Sequence, residues 1–509
     1  MVRVRFAPSP TGPLHIGGVR TALYDYLLAK KHGGAFILRI EDTDQKRFVP
    51  GAEEYIINSL KWMGMTPDEG PGIGGDYGPY RQSERKELYA KFVQQLLDTG
   101  HAYYAFDSSE ELDAMRARKE KEGSISQKYD ATVRLEMKNS LSLSKEETQG
   151  YLDKAENVTV RLKVDPGEII SFKDIVRGHV EFKSEELDDK VLMKADGLPT
   201  YHMANIVDDK HMEISHVIRG EEWLSSTAHH ILLYRALGWE DSVPQFAHLP
   251  LLLKPVGKGK LGKRDGAKFG FPVFPLNWQA EEETYQGFKE FGLLPEAAMN
   301  FLAFLGWNPG TEQEIFTEEE LIQAFSLERV NNSGARFDVE KGKWYNQQYI
   351  IAKSNEELTE IIKPTLVDKG VSVSDEFLND FCGLMKERVE LLPEFYESGK
   401  FFFEQPEAYD EKTAKKKFKT ENETHFVAIK EIISQIDNWD SKAIEESIKQ
   451  YISDNELSFG AILPILRITV TGTMKGPDIF KTIYLLGKAE SVQRMEKGLT
   501  FIKTLVNDA

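Results

Sequence analysis

Hydrophobic and polar positions alternate at the start of the chain. Val2, Val4 and Phe6 are separated by Arg3 and Arg5, the two-residue period of a strand. The period then changes. Across "GGVRTALYDYLLAKKHGG", Val19, Ala22, Leu23, Tyr26 and Leu27 recur at three- and four-residue spacing, which predicts a helix that Gly33 and Gly34 stop. "AFILRIED" (Ala35–Asp42) is apolar enough for a largely buried strand. Strand, glycine-rich turn, helix and strand make a βαβ unit with a right-handed connection. Such units hold ligands beyond the carboxyl ends of their strands, where a helix N-terminus offers free N–H groups to anions. Helical periodicity returns in "FKEFGLLPEAAMNFLAFLGWNPG", and residues 351–509 read as amphipathic helices.

Composition narrows this picture without deciding it. A chain of 509 residues exceeds one hydrophobic core, so about three or four domains are expected. No stretch of about eighteen apolar residues occurs, which argues against a membrane span. "MVRVRFAPSP" lacks the apolar core of a signal peptide, so a cytoplasmic address is expected. Cys382 is the only cysteine, which excludes intramolecular disulfides and multi-thiolate zinc sites. The net charge of −18 argues against a polyanionic partner on first sight. Binding to phosphates depends on local cations, however, and Lys254–Lys268 and Lys412–Lys419 are locally basic. On its own, each segment reads better as a solvated loop or helix face.

Candidate chemistry begins in the turn, "PSPTGPLHIGG" (Pro8–Gly18). It carries neither G-x-G-x-x-G nor G-x-x-x-x-G-K-[ST]. His15-Ile16-Gly17-Gly18 at a helix start lets backbone approach a phosphate closely, with His15 aimed at the same place. On the residues alone, His15 is equally well a satisfied loop histidine.

"RFAPSPTGPLHIGGVRTAL" followed by "FILRIEDTD" resembles the class I aminoacyl-tRNA synthetases, and within them the glutamyl branch. His15-Ile16-Gly17-Gly18 stands where that class has its His-Ile-Gly-His signature. "KLGKRDGA" (Lys260–Ala267) resembles the class I Lys-Met-Ser-Lys-Ser loop, with Gly262 in place of the serine. The resemblance implies that His15, Lys260, Lys263 and Arg264 are catalytic, and that His15, Gly17, Gly18, Glu222 and Lys263 bind ATP, which comes with Mg²⁺. Chemically, an imidazole and bare backbone can stabilise charge on the phosphates, and an ammonium on a mobile loop can follow departing pyrophosphate.

A glutamate site must recognise a carboxylate and refuse the amide of nearly equal volume. A guanidinium does so because it offers paired donors and no acceptor. The resemblance implies a pocket of Arg5, Ala7, Ser9, Glu41, Tyr201, Asn205, Arg219 and Trp223. Arg5 and Arg219 supply cations, Tyr201 and Asn205 orient the ligand, Glu41 pairs with an ammonium and Trp223 walls off water. Without the motif, Arg5 would read as a solvent-facing strand residue.

The implied fold is α/β: a class I Rossmann-type catalytic domain in two halves (1–85 and 190–255) around an inserted acceptor-end-binding α+β domain (86–189). A lysine loop and helical stem-contact region (256–340) and an all-α anticodon-binding domain (341–509) follow. Many relatives hold zinc in the insertion through a C-x-C pair. Ala105 and Asp107 stand near those places, and Tyr129, Asp130 and Arg134 match a degenerate second half, so no structural zinc is expected. The implied activity is ATP-dependent attachment of L-glutamate to tRNA(Glu) through a glutamyl-adenylate, by a cytoplasmic monomer that meets no membrane. A glutamyl-queuosine-tRNA enzyme would lack the C-terminal part, a glutaminyl enzyme usually opens "PEPNGYLHIGH", and a non-catalytic RNA-binding paralogue would be expected to lose His15, Lys263 or a pocket arginine.

Overall fold

The first alternating segment is strand β1 (Arg3–Phe6), and the apolar run after the first helix contains strand β2 (Ala35–Leu38), parallel to it and in register from Arg3 opposite Ala35 to Phe6 opposite Leu38. The helix between them, Ile16–Lys31, buries Val19, Ala22, Leu23, Tyr26 and Leu27, the positions its period picked out. Lys30 and Lys31 lie in its last turn, where cations suit the helix dipole. The alternation of β1 does not mean one wet face. Arg3 and Arg5 are both buried, because each has an internal carboxylate: Glu69 for Arg3 and Asp209 for Arg5.

A computed structural model describes residues 1–123, 127–280 and 283–507, which divide into two units, Met1–Glu290 with Ala298–Val339, and Phe291–Ala297 with Glu340–Ala509. In the first unit seven further strands concern the site: β3 (Ala102–Ala105), β4 (Thr159–Leu162), β5 (Ile169–Asp174), β6 (Gly178–Lys183), β7 (Val191–Met193), β8 (His216–Gly220) and β9 (Gln245–Leu249). The main sheet runs β2-β1-β8-β9-β5-β6, with every neighbouring pair parallel except the β5–β6 hairpin. β3, β4 and β7 form a separate antiparallel sheet.

The segment 86–189 is therefore not a single inserted block. It supplies β3 and β4 to the small sheet but returns β5 and β6 to the edge of the main one. The burial pattern of β5 explains this: Ile170, Phe172 and Asp174 are buried while Ile169, Ser171 and Lys173 face outward, a period of two that fits a sheet covered on one side. Ile170 and Phe172 belong to the core that also holds Phe246 of β9. In the small sheet's domain, Tyr129 donates to Asp107, the Lys138 backbone N–H donates to Asp107 at 2.9 Å, and the Arg161 guanidinium lies 4.0 Å over the Tyr129 ring. Arg134 is paired with Asp189 at 2.6 Å.

In the second unit the elements from Asn355 onward are helical among the described residues. The helix Ser441–Asp454 shows why: Ile444, Ile448 and Ile452 recur every fourth residue and are fully buried with Ile462, Ile465 and Leu466. Cys382 is buried and unpaired. Among the described residues, no helix is long and apolar enough to cross a membrane.

The turn from helix to β2 is sterically tight. A Cβ on Gly34 would sit 2.1 Å from the Val2 carbonyl oxygen, the oxygen that accepts the Ala35 N–H. Gly34→Ala is expected to destabilise the first unit by about 1–3 kcal/mol, as overpacking does. Denaturant unfolding followed in the wild type and the variant tests this; equal midpoints would show that the β1–β2 junction yields.

Candidate active site

The carboxyl ends of β1 and β8 open onto a cavity of about 890 Å³ in the first unit. Its walls include Arg5, Ala7, Ser9, His15, Gly17, Gly18, Glu41, Tyr201, Asn205, Arg219, Glu222, Trp223 and Lys260, residues drawn from segments more than two hundred positions apart. Lys263 and Arg264 do not line it and are exposed. Trp223 lies at the mouth: it is 41% exposed, with its ring 4.5 Å from that of Tyr201. It can shield the mouth without sealing it.

One side of the cavity is a closed network of buried charge. Arg5 donates from Nε and Nη2 to the two oxygens of Asp209, at 2.9 and 3.2 Å, which leaves Nη1 without a partner among the described residues. Arg39 donates to Asp209 at 2.7 Å and to Glu41 at 3.2 Å. Asp209 is held below the usual carboxylate range by these two guanidinium groups, against its burial. Glu41 is pushed upward, because burial outweighs Arg39 and Arg5. The Asn205 amide donates to Glu41 at 3.3 Å, and among the described residues its buried carbonyl oxygen has no partner. A carboxylate and a free amide oxygen thus stand together, two acceptors that an ammonium would satisfy.

Arg219 is held differently. It is buried, yet among the described residues no carboxylate lies within ion-pair distance of it. Nη1 donates to the Tyr201 hydroxyl at 2.5 Å, Nη2 to Thr227 Oγ1 at 2.7 Å and Nε to His248 Nε2 at 3.1 Å. These acceptors are neutral, so the positive charge is oriented but not cancelled. An unanswered buried charge is costly, and a ligand carboxylate would answer it.

The opposite end is built for phosphate. His15 caps the helix Ile16–Lys31: its Nδ1 accepts the Gly17 N–H at 3.3 Å. That bond puts the ring proton on Nε2, a buried atom, with the Gly262 backbone carbonyl beside the ring. Burial, reinforced by Lys263, pulls His15 down to about 4, so the ring is a neutral donor at neutral pH. Gly18 permits the close approach of this turn, since a Cβ there would lie 2.6 Å from Leu14 Cδ1. Lys260 is bound to Glu222 at 2.9 Å, and Lys263 reaches toward the turn, its Nζ 3.5 Å from where a Cβ of Gly12 would stand. The Gly262 N–H donates to Asp265 Oδ2 at 2.8 Å, and a Cβ at Gly262 would make only an ordinary contact with that atom. The glycine is therefore not sterically required.

Sequence reasoning missed four residues that shape this site. Arg20 lines the cavity and, among the described residues, donates to the carbonyls of Leu305 and Pro250, at 2.7 and 2.5 Å. Its place in "GGVR" gives no hint of that. Asp209 answers both Arg5 and Arg39, and "RIED" with "NIVDD" displays the charges without their pairing. His248 sits in an apolar strand and is paired across the sheet with Arg219.

The family model for the class I tRNA synthetases (E and Q), catalytic domain, matches residues 1–344, and that for the anticodon binding domain matches residues 357–499. The chain is 52% identical to the glutamate–tRNA ligase of Phocaeicola vulgatus over 506 residues, 99% of each chain. It is 52% identical to that of Bacteroides thetaiotaomicron over 504 residues, again 99% of each. A crystal structure of a glutamate tRNA ligase from Elizabethkingia meningosepticum in complex with its amino acid superposes with a TM-score of 0.95 at 50% identity, covering 98% of this chain and 99% of that one. That of a glutamate–tRNA synthetase from Elizabethkingia anophelis superposes with a TM-score of 0.92.

The shared carboxylate of Asp209 gives a direct stability test. Asp209→Asn leaves two buried guanidinium groups short of their partner and should cost about 3–5 kcal/mol at neutral pH. Because the native pKa is depressed, the contribution of Asp209 is present above its unfolded value of about 3.9 and is lost as pH falls through the native value. The gap between wild type and variant in urea unfolding should thus narrow in acid; a gap that widens there would contradict the pairing.

Proposed function

From the premise that this chain belongs to the class I glutamate and glutamine tRNA synthetases, among the glutamate–tRNA ligases, we propose how its own residues carry the reaction. The activity is the attachment of glutamate to tRNA(Glu) for protein synthesis. The observation that carries the residue assignment is the coexistence, in the walls of one cavity, of a buried guanidinium with no carboxylate within ion-pair distance among the described residues and a neutral imidazole at a helix N-terminus.

Glutamate lies between Arg5 and Arg219. Arg219 meets carboxylate with an uncancelled charge, Arg5 offers Nη1, and Glu41 with the free Asn205 oxygen accepts the α-ammonium. A glutamine amide would bring an N–H₂ toward guanidinium donors, and such unpaired polar contacts discriminate by on the order of 10⁴. The ATP phosphates lie along the helix N-terminus, where His15, Gly17 and Gly18 line the cavity. The α-carboxylate of glutamate attacks the α-phosphorus, the adenylate forms, and pyrophosphate departs. His15 stabilises the developing negative charge as a neutral donor, while Lys260 and Lys263 follow the leaving group. The donors in this half of the cavity are N–H groups and ammonium, which suit phosphate oxygens, and among the described residues no group of three or more His, Cys, Asp or Glu could hold a metal ion. Mg²⁺ would accompany the triphosphate and neutralise its charge. A hydroxyl of the terminal tRNA ribose then attacks the glutamyl carbonyl of the adenylate, forming the ester and releasing AMP. Residues 357–499 contact the anticodon, in keeping with the family model they match. A cytoplasmic setting fits the single, buried, unpaired thiol of Cys382.

Charging of purified tRNA(Glu) tests both halves. Arg219→Ala should raise KM for glutamate by about 10²-fold, as loss of a charged partner does, and leave KM for ATP within about threefold. Equal rises in both constants would remove Arg219 from the amino-acid pocket. Lys263→Ala should lower kcat by about 10²-fold, the scale of one transition-state donor; undiminished charging would take the loop out of the chemistry.

A further inference from the structure

The arginine that faces glutamate is held from behind by a chain of hydrogen bonds across three parallel strands. Arg219 on β8 is the direct register partner of His248 on β9. Asp174 ends β5, the strand on the far side of β9. Asp174 Oδ2 lies 2.6 Å from His248 Nδ1, and His248 Nε2 lies 3.1 Å from Arg219 Nε. Asp174 and His248 are 1% and 0% exposed.

The direction of every bond in this chain is determined. Arg219 Nε can only donate, so His248 Nε2 must carry a lone pair. The single ring proton then sits on Nδ1 and is donated to Asp174. The carboxylate is ionised at neutral pH, since hydrogen bonds from His248 and nearby backbone N–H groups hold it below the usual range against its burial. Burial also holds His248 below its ordinary value, which keeps the ring neutral. Thr227 Oγ1, 2.7 Å from Arg219 Nη2 and 3.2 Å from His248 Nε2, closes the cage.

We propose that His248, oriented by Asp174, is a positioning residue for glutamate recognition: it fixes the plane of the Arg219 guanidinium while leaving its charge for the substrate. Directly pairing Arg219 with a carboxylate would fix it equally well but cancel the charge. Interposing one imidazole keeps Asp174 a ring's width away. The inference rests on Arg219 belonging to the glutamate pocket.

Two near-isosteric substitutions separate positioning from packing. In His248→Gln the side-chain oxygen reaches the place of Nε2 and can still accept from Arg219. In His248→Asn the amide reaches only the place of Nδ1, so Asp174 stays satisfied and Arg219 loses its acceptor. In tRNA charging, His248→Asn should raise KM for glutamate by about tenfold or more, with KM for ATP within about twofold, the loss expected for one hydrogen bond to a charged group. His248→Gln should stay within about threefold of wild type for both substrates. Similar glutamate KM values for the two variants, or a larger rise in Gln than in Asn, would overturn the proposal. Should His248→Asn fail to fold, a glutamate KM for His248→Gln raised by about tenfold would overturn it, and a near-wild-type value would support it. If Arg219→Ala itself leaves KM for glutamate unchanged, the pocket assignment fails. If only Arg219→Ala raises it, the pocket stands and the role of His248 falls.

Discussion

A guanidinium taken out of water loses several kcal/mol of hydration unless a carboxylate or a set of acceptors replaces it. This cavity replaces it in two ways within one sheet. Arg5 is answered by Asp209, which also answers Arg39, so that side of the pocket is rigid and nearly charge-balanced without a ligand. Arg219 receives neutral acceptors and keeps its charge. The imbalance is what makes the cavity a carboxylate site. It persists only because β8, β9 and β5 run parallel, in a register that sets Arg219 opposite His248 and Asp174 opposite Phe246, with the Asp174 carboxylate in reach of the His248 ring.

The segments that end at this cavity were legible in the sequence where local physics governs them. The two-residue period of Val2, Val4 and Phe6, the helical period of Val19 through Leu27 and the stop at Gly33 all became elements at those places, because each is specified within a turn or two of chain. His15 and the glycines fall at the helix start for the same reason. The site residues carried over from the motifs line one cavity, apart from Lys263 and Arg264, whose loop stands at its edge.

What was not legible is pairing across long sequence distance. Arg5 and Asp209 are two hundred residues apart, and nothing near Arg5 distinguishes a buried, paired cation from an exposed one. The segment 86–189 looked like one insertion because its small sheet and its main-sheet hairpin follow each other without a compositional break. Only strand pairing separates them: β5 joins β9 in the main sheet, while β3 and β4 pair with each other. His248, inside "QFAHLPLLL", reads as a core histidine, which it is. Its further consequence depends on its cross-strand neighbour, and register is a tertiary fact.

The phosphate end follows the opposite strategy, and the contrast explains why the two ends use different cations. Glutamate must be recognised in its ground state, so its guanidinium groups are buried and fixed beforehand. Pyrophosphate gains charge as it leaves, so a fixed cation there would also hold the ground state and the product. The chain instead keeps His15 neutral, through burial and the nearby Lys263, and places its lysines on a loop at the surface. Lys260 and Lys263 remain hydrated and exposed, and Lys260 is held by a half-exposed carboxylate, Glu222, an attraction of about 1 kcal/mol or less. Such cations can move onto the departing phosphates and leave with little penalty. Gly262 fits this division, since it adds no side chain that would anchor the loop to either position.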